Sequence, residues 1–213
     1  MTAILICGGT LSAAFLRKTT EQYRDAVVYA VDGGLAVADV AGVMPDYLVG
    51  DFDTADAGLV ERYEKTCVTI RHLPEKDATD TELAIDEAIA CGAEEVILLG
   101  ATGSRMDHTL ANVHMLFKMR LRGVRAYILN ENNRISLHRE SFQRQKADLF
   151  GTYVSFLPFW GDVSGVTLKG LKYPLENMTL TAGNSLGISN EAVEEKIGVF
   201  FESGYLLMIE SRD

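Results

Sequence analysis

Two carboxylates stand two residues apart in Gly50-Asp51-Phe52-Asp53, directly after the apolar run Tyr47-Leu48-Val49. In an extended segment such residues point to the same side. Carboxylates that face one space repel unless a cation lies between them or one takes up a proton, and a hard divalent ion such as Mg²⁺ is the usual answer. The tetrapeptide therefore points to metal-assisted phosphate chemistry. The competing reading is a strand followed by an acidic turn, with Asp53 capping a helix ahead of Ala55-Asp56-Ala57.

Three further polar motifs follow apolar runs. Val31-Asp32-Gly33-Gly34 ends a strand in a carboxylate and two glycines, which let backbone N–H groups approach a phosphate; a plain tight turn has the same residues. Glu75-Lys76-Asp77-Ala78-Thr79-Asp80-Thr81-Glu82 contains a capping box, Thr79 with Glu82, which accounts for those two residues but requires neither Asp80 nor Lys76. Gly100-Ala101-Thr102-Gly103-Ser104-Arg105-Met106-Asp107-His108 is a glycine-bearing turn that delivers one guanidinium, a group suited to phosphate oxygens. Asp107 reads equally as a helix cap or a ligand partner. His72, His108, His114 and His138 share no metal-ligand spacing. Neither the six-residue dinucleotide fingerprint nor the Lys-containing phosphate loop is present.

The elements that must carry these motifs alternate. Apolar runs at Ala3 to Cys7, Ala26 to Val31, Tyr47 to Val49, Val68 to Leu73, Glu95 to Leu99 and Arg125 to Leu129 are separated by helical patterns, the rhythm of a mostly parallel, doubly wound α/β sheet. Such a sheet puts its site at the carboxyl ends of the strands, where the polar motifs lie. Leu83, Ala84, Ala88 and Ile89 mark the core face of one helix, and Leu110, Val113, Phe117 and Leu121 that of the next, with Gly92 and Gly123 as stops. After about residue 140 the helical period disappears. Strand-like runs crowd together at Tyr153 to Leu157, Val163 to Leu168, Met178 to Thr181, Ile197 to Phe201 and Leu206 to Ile209, with turns at Gly161-Asp162, Ala182-Gly183-Asn184 and Ser203-Gly204. The expected division is an α/β domain over 1–140 and an all-β domain over 141–213. A β unit of about 70 residues is marginal alone, so it is expected to pack on the first domain or on a second subunit.

The chain has 213 residues, 47% hydrophobic and 23% charged, with a net charge of −10. That balance disfavours a nucleic-acid partner, and no apolar run is long enough to cross a bilayer. Met1 to Gly9 reads as a buried first strand and not as a secretion signal. Cys7, Cys67 and Cys91 are odd in number and widely spaced, which predicts reduced core residues and a cytoplasmic protein. Trp160 is expected to be a half-buried packing residue near a hairpin.

Taken together, Asp32-Gly33-Gly34, Pro45 to Asp53, Asp77 to Glu82, Gly100 to His108, Gly170-Leu171-Lys172-Tyr173-Pro174-Leu175 and Gly187-Ile188-Ser189-Asn190-Glu191 resemble, in order and over essentially the whole length, the thiamine pyrophosphokinase family of the bacterial type. The resemblance implies transfer of the pyrophosphoryl group of ATP to the hydroxyl of thiamine, giving thiamine diphosphate and AMP, with Mg²⁺ required. It implies an α/β, Rossmann-like nucleotide-binding domain followed by a β-sandwich, in a homodimer with thiamine sites at the subunit interface. Carried over by position, Asp51, Asp53 and Asp80 match the acidic residues associated with metal and catalysis, and Asp32, with Gly33 and Gly34, matches the nucleotide site. Gly103, Arg105, Asp107 and His108 match the nucleotide-binding turn. Ser104 stands where the family usually has a second glycine. Ser189 and Asn190 match the thiamine motif.

The residues make that chemistry intelligible. An alcohol must attack phosphorus in a highly anionic nucleotide, so positioning and charge neutralisation dominate the barrier. Arg105 is expected to support charge on the transferred group and one Asp to accept the alcohol proton. An acidic pocket also attracts the thiazolium cation, with Glu191 reading equally as a contributor or as a solvated turn residue. Two alternatives share the residues: another metal-dependent pyrophosphoryl or glycosyl transferase, and a non-catalytic thiamine sensor.

Overall fold

The apolar runs of the first half, rich in β-branched and large aliphatic residues, become strands. The computed structural model describes residues 1–53, 55–72 and 77–213. They divide into two compact units, Met1–Glu131 and Asn132–Asp213.

In the first unit the strands are β1 (Thr2–Ile6), β2 (Val27–Val31), β3 (Tyr47–Gly50), β4 (Val68–Arg71), β5 (Glu95–Leu99) and β6 (Arg125–Leu129). They lie in the order β4-β3-β2-β1-β5-β6, and every described pairing is parallel. The chain thus winds outward from β1 through β2, β3 and β4, then restarts on the other side of β1 with β5. That reversal opens a crevice between the carboxyl ends of β1 and β5. Leu73, which the sequence assigned to the fourth strand, and Glu75 and Lys76 of the acidic motif lie outside the described residues.

Three of the described helices begin where a side chain satisfies one of their first N–H groups. α1 (Ala13–Gln22) is capped by Ser12, α3 (Ala57–Glu64) by Asp56 at 2.8 Å from Leu59 N, and α4 (Asp80–Ala90) by Thr79 at 3.2 Å from Glu82 N. α2 (Gly34–Ala41) ends at Gly42 in the left-handed region, and α5 (Met106–Leu121) follows Arg105. The cap before α3 is therefore Asp56 and not Asp53. On α5 the buried residues are Asn112, Leu116 and Met119, whereas Leu110 and Leu121 are exposed. This corrects the expected face: α5 carries apolar residues most of the way round, so its periodicity does not select a side. On α4 the buried residues are Ala84, Ile85 and Ala88, with Leu83 and Ile89 half-buried.

The second unit holds β7 (Asn133–His138), β8 (Phe142–Gln145), β9 (Tyr153–Lys169), β10 (Leu175–Leu180), β11 (Asn190–Glu191), β12 (Lys196–Phe200) and β13 (Ser203–Ser211). All its described pairings are antiparallel. The first part of β9 pairs with β13 and β11, and its last part with β10 and β12. The register shifts where Trp160 (φ 65°) and Gly161 (φ 148°) sit, so the residues read as a turn are an irregularity within one long, bent strand. Trp160 is 71% exposed there, against the expected packing role. Val154, Phe156, Val166, Leu168, Val199 and Leu206 form the centre of this unit's core. Cys7 and Cys67 are buried and Cys91 is exposed, all three unbridged, which corrects the expectation of a core position for Cys91. No described helix is long and apolar enough to cross a membrane.

Candidate active site

β3 ends at Gly50, and the acidic turn follows it. Phe52 is 7% exposed and packs with Leu48, Val60 and Tyr63, while the Arg71 guanidinium lies 5.3 Å from its ring centroid. Burying such a ring contributes about 1.5–3 kcal/mol and anchors the turn. Phe52 adopts φ 59°, and Asp53 N–H donates to Asp51 Oδ1 at 3.3 Å. The two carboxylates therefore converge because the chain turns around an anchored aromatic ring, and not because an extended strand alternates. Asp32, at the end of β2, also has positive φ (41°) and donates its N–H to Val49 O at 2.9 Å. This sets it beside the end of β3, where a Cβ on Gly50 would meet Asp32 Cβ at 3.3 Å. One oxygen from each of Asp32, Asp51 and Asp53 lies within 4.8 Å of the others. Asp80 is not in this group.

A cavity of about 580 Å³ lies at the carboxyl ends of β1 and β5, in the crevice the strand order creates. Its lining runs through Cys7 to Thr10, Gly100 to Arg105, Thr79 to Thr81, and Asp32. Val31 and, from α5, His108, Thr109 and Asn112 complete it. Asp32 belongs both to this lining and to the carboxylate group; Asp51 and Asp53 belong only to the latter. The two loops meet closely. Gly9 N–H donates to Gly100 O at 2.8 Å and Thr10 N–H to Thr102 O at 2.7 Å, and a Cβ on Gly9 would fall 2.4 Å from both carbonyl oxygens. Burial pushes the Cys7 thiol up to about 11, with Thr81 Oγ1 3.7 Å away, so it stays protonated near neutral pH and is no nucleophile.

Gly33 and Gly34, expected at a phosphate, are not in the cavity lining. Gly34 is buried under β1, where a Cβ would fall 1.8 Å from Ile6 O, so its lack of a side chain serves packing of α2 on the sheet. Gly103, Ser104, Arg105 and His108 do line the cavity, and Asp107 does not. Asp107 pairs instead with the Arg105 guanidinium, whose Nε donates to Oδ1 at 3.2 Å. That hydrogen bond, with one from the backbone of His108, lowers the Asp107 carboxyl from 3.8 to about 2. Its stabilising contribution is present above the ordinary carboxylate range and is lost as pH falls through about 2. Both side chains are exposed, so the effect on stability is small. The local effect is measurable: by carbon-detected NMR, Asp107 is expected to titrate near 2 and to return towards 3.8 in Arg105→Gln. An unchanged midpoint in that variant would show the pair to be absent in solution.

Two family models match the chain. Residues 20–128 match "Thiamin pyrophosphokinase, catalytic domain" and residues 139–206 match "Thiamin pyrophosphokinase, vitamin B1 binding domain". The thiamine pyrophosphokinase of Bacillus subtilis is 34% identical over 184 residues, 86% of each chain. This chain belongs to the thiamine pyrophosphokinase family. Solved structures agree. The crystal structure of the Bacillus subtilis thiamine pyrophosphokinase aligns with a TM-score of 0.88 at 30% identity over 100% of both chains. That of the Geobacillus thermodenitrificans thiamin pyrophosphokinase aligns with 0.86 at 32% over 100% of this chain and 98% of the other.

The second family motif lies in the second unit. Ser189 has φ 54° and donates its N–H to Ser155 Oγ at 3.0 Å. Asn190 is buried: its Oδ1 accepts from Tyr173 N at 2.9 Å and Glu191 N at 3.0 Å, and its Nδ2 donates to Tyr173 O at 2.7 Å. The Asn190 amide thus holds the Lys172-Tyr173 loop, and Lys172 Nζ pairs with Glu191 at 2.7 Å. The exposed side chains of Tyr173, Ile188 and Val193 flank this motif along the chain.

Sequence reasoning passed over Gly8-Gly9-Thr10 as a cavity wall, and Thr109 and Asn112 on α5. For the first a signal was present, since Gly8-Gly9 follows an apolar strand just as Gly33-Gly34 does. For Asn112 the signal was a polar residue on the same helical face as Leu116 and Met119.

Proposed function

We infer that the chain transfers the pyrophosphoryl group of ATP to the hydroxyl of thiamine, releasing thiamine diphosphate and AMP. The observation that carries this reading is the junction at Asp32, which joins a nucleotide-sized cavity to a three-carboxylate group in a chain of this family. We read the first unit as a Rossmann-like nucleotide-binding and catalytic domain, and the second as a β-sandwich that binds thiamine through the Ser189-Asn190 region.

The donor set fits a divalent ion. Asp32, Asp51 and Asp53 offer oxygen atoms alone, close enough that their charges repel without a cation, which favours Mg²⁺ over softer metals. When bound, the ion supplies charge neutralisation on the phosphate oxygens. The chain's own residues do the rest. Arg105 faces the cavity at the turn and donates to oxygens of the transferred group. The hydroxyls of Thr10, Thr102 and Ser104 add neutral donors along the same wall. Asp80, in the first turn of α4, lines the cavity apart from the three-carboxylate group, and we assign it either a further metal contact or the alcohol proton. Asp107 acts through Arg105, which it orients.

The homodimer and a cytoplasmic location remain part of the proposal. Exposed Tyr173, Ile188 and Val193 support a subunit contact, and three unbridged cysteines support a reducing compartment.

The test mixes purified protein, Mg²⁺, ATP and thiamine, with EDTA and no-thiamine controls, and quantifies AMP and thiamine diphosphate. Equal amounts of both, abolished by EDTA, are expected. Thiamine-dependent ADP would mean monophosphoryl transfer, and saturable thiamine binding without AMP would mean a sensor.

A further inference from the structure

Asn112 is 8% exposed, and the two residues that continue its face of α5, Leu116 and Met119, are both buried and apolar. A polar side chain at that point of an apolar stripe is destabilising unless it is paired. It is paired with the cavity wall: its Nδ2 donates to Ala101 O at 2.8 Å. One helical turn earlier on the same face, Thr109 Oγ1 accepts from Gly103 N at 3.3 Å and donates to Arg105 O at 3.2 Å. Every other residue of the turn from Ala101 to Arg105 is therefore tied through its backbone to one of two α5 side chains. Gly103 N–H is consumed within the protein and is not offered to a phosphate.

We propose that Asn112 and Thr109 are positioning residues for nucleotide binding: they fix the Ala101–Arg105 turn on α5 and so present Arg105 to the cavity. The inference rests on the assignment of this cavity to ATP. A loop between a strand and a helix otherwise loses conformational entropy each time it closes on a ligand. A turn already fixed by its own helix has met that cost on folding.

The test compares Asn112→Leu, Thr109→Val and a control, Met119→Ala. The control removes a buried side chain near the far end of the same helix, about fourteen residues beyond Arg105, and it lowers stability through a cavity. For Thr109→Val, which keeps shape and is expected to fold, KM for ATP should rise about tenfold, with KM for thiamine within twofold of the parent. Asn112→Leu should do the same or more. Met119→Ala should lower Tm and leave the ratio of the two KM values unchanged. A KM for ATP within twofold in Thr109→Val, or the same KM ratio in all three proteins, would overturn the proposal. Failure of the parent protein to make thiamine diphosphate would instead overturn the function, so the two failures are distinguishable. Binding of ATP without metal, followed by calorimetry in the same variants, should weaken in parallel with KM.

Discussion

Asp51→Asn is expected to lower thiamine diphosphate formation by roughly a hundredfold to a thousandfold while leaving the circular dichroism spectrum unchanged. Asn keeps an Oδ1 to accept the Asp53 N–H, so the turn around Phe52 survives. What is lost is one of three charges within 4.8 Å of one another. With less repulsion, the metal-free variant should be as stable as the parent or slightly more so. An ion that binds only the folded protein raises stability by about 2.7 kcal/mol at a hundred times its dissociation constant, so Mg²⁺ should raise the Tm of the parent and much less that of the variant. Near-normal turnover, or an undiminished Mg²⁺-dependent rise in Tm, would overturn the assignment of Asp51 to the metal.

The largest stability effect is expected in the second unit. Glu210 on β13 is 1% exposed, and it accepts hydrogen bonds from the Arg134 guanidinium and from Phe150 N–H at 3.1 Å. Arg134 also donates to Asp148 O at 2.8 Å, so one ion pair ties β7, β13 and the segment before β9. Glu210→Ala leaves a largely buried guanidinium and a backbone N–H without that carboxylate, which should cost about 3–5 kcal/mol. In a chain of this size that lowers Tm by roughly 10 °C. Glu210→Gln, which keeps an acceptor, should lose less. A loss below about 1 kcal/mol in the Ala variant would show that the pair is solvated.

Asp107 illustrates how much of a side chain's role spacing leaves open. Its position beside Arg105 was plain from the sequence. Whether it caps the helix, meets a ligand or pairs with the guanidinium depended on rotamers, which spacing does not encode. The same holds for Asp53, displaced as a cap by Asp56 three residues on. On α5, apolar residues nearly all round left the buried face to be chosen by β-strand neighbours, which explains why Leu110 was misjudged and Asn112 passed over.

By itself the sequence determined the strand–helix rhythm, the position of each polar motif after a strand, and the family, because these are written in local order: apolar runs, caps and turn residues act on their near neighbours. Only the tertiary structure decided which motifs share a space. Parallel order β4-β3-β2-β1-β5-β6 brings Asp32 to Asp51 and Gly9 to Gly100, pairs far apart in the chain, and leaves Asp80 outside the three-carboxylate group. Those meetings depend on strand order and on the anchoring of Phe52 in a core. Both are set by non-local packing, on which local residue patterns are silent.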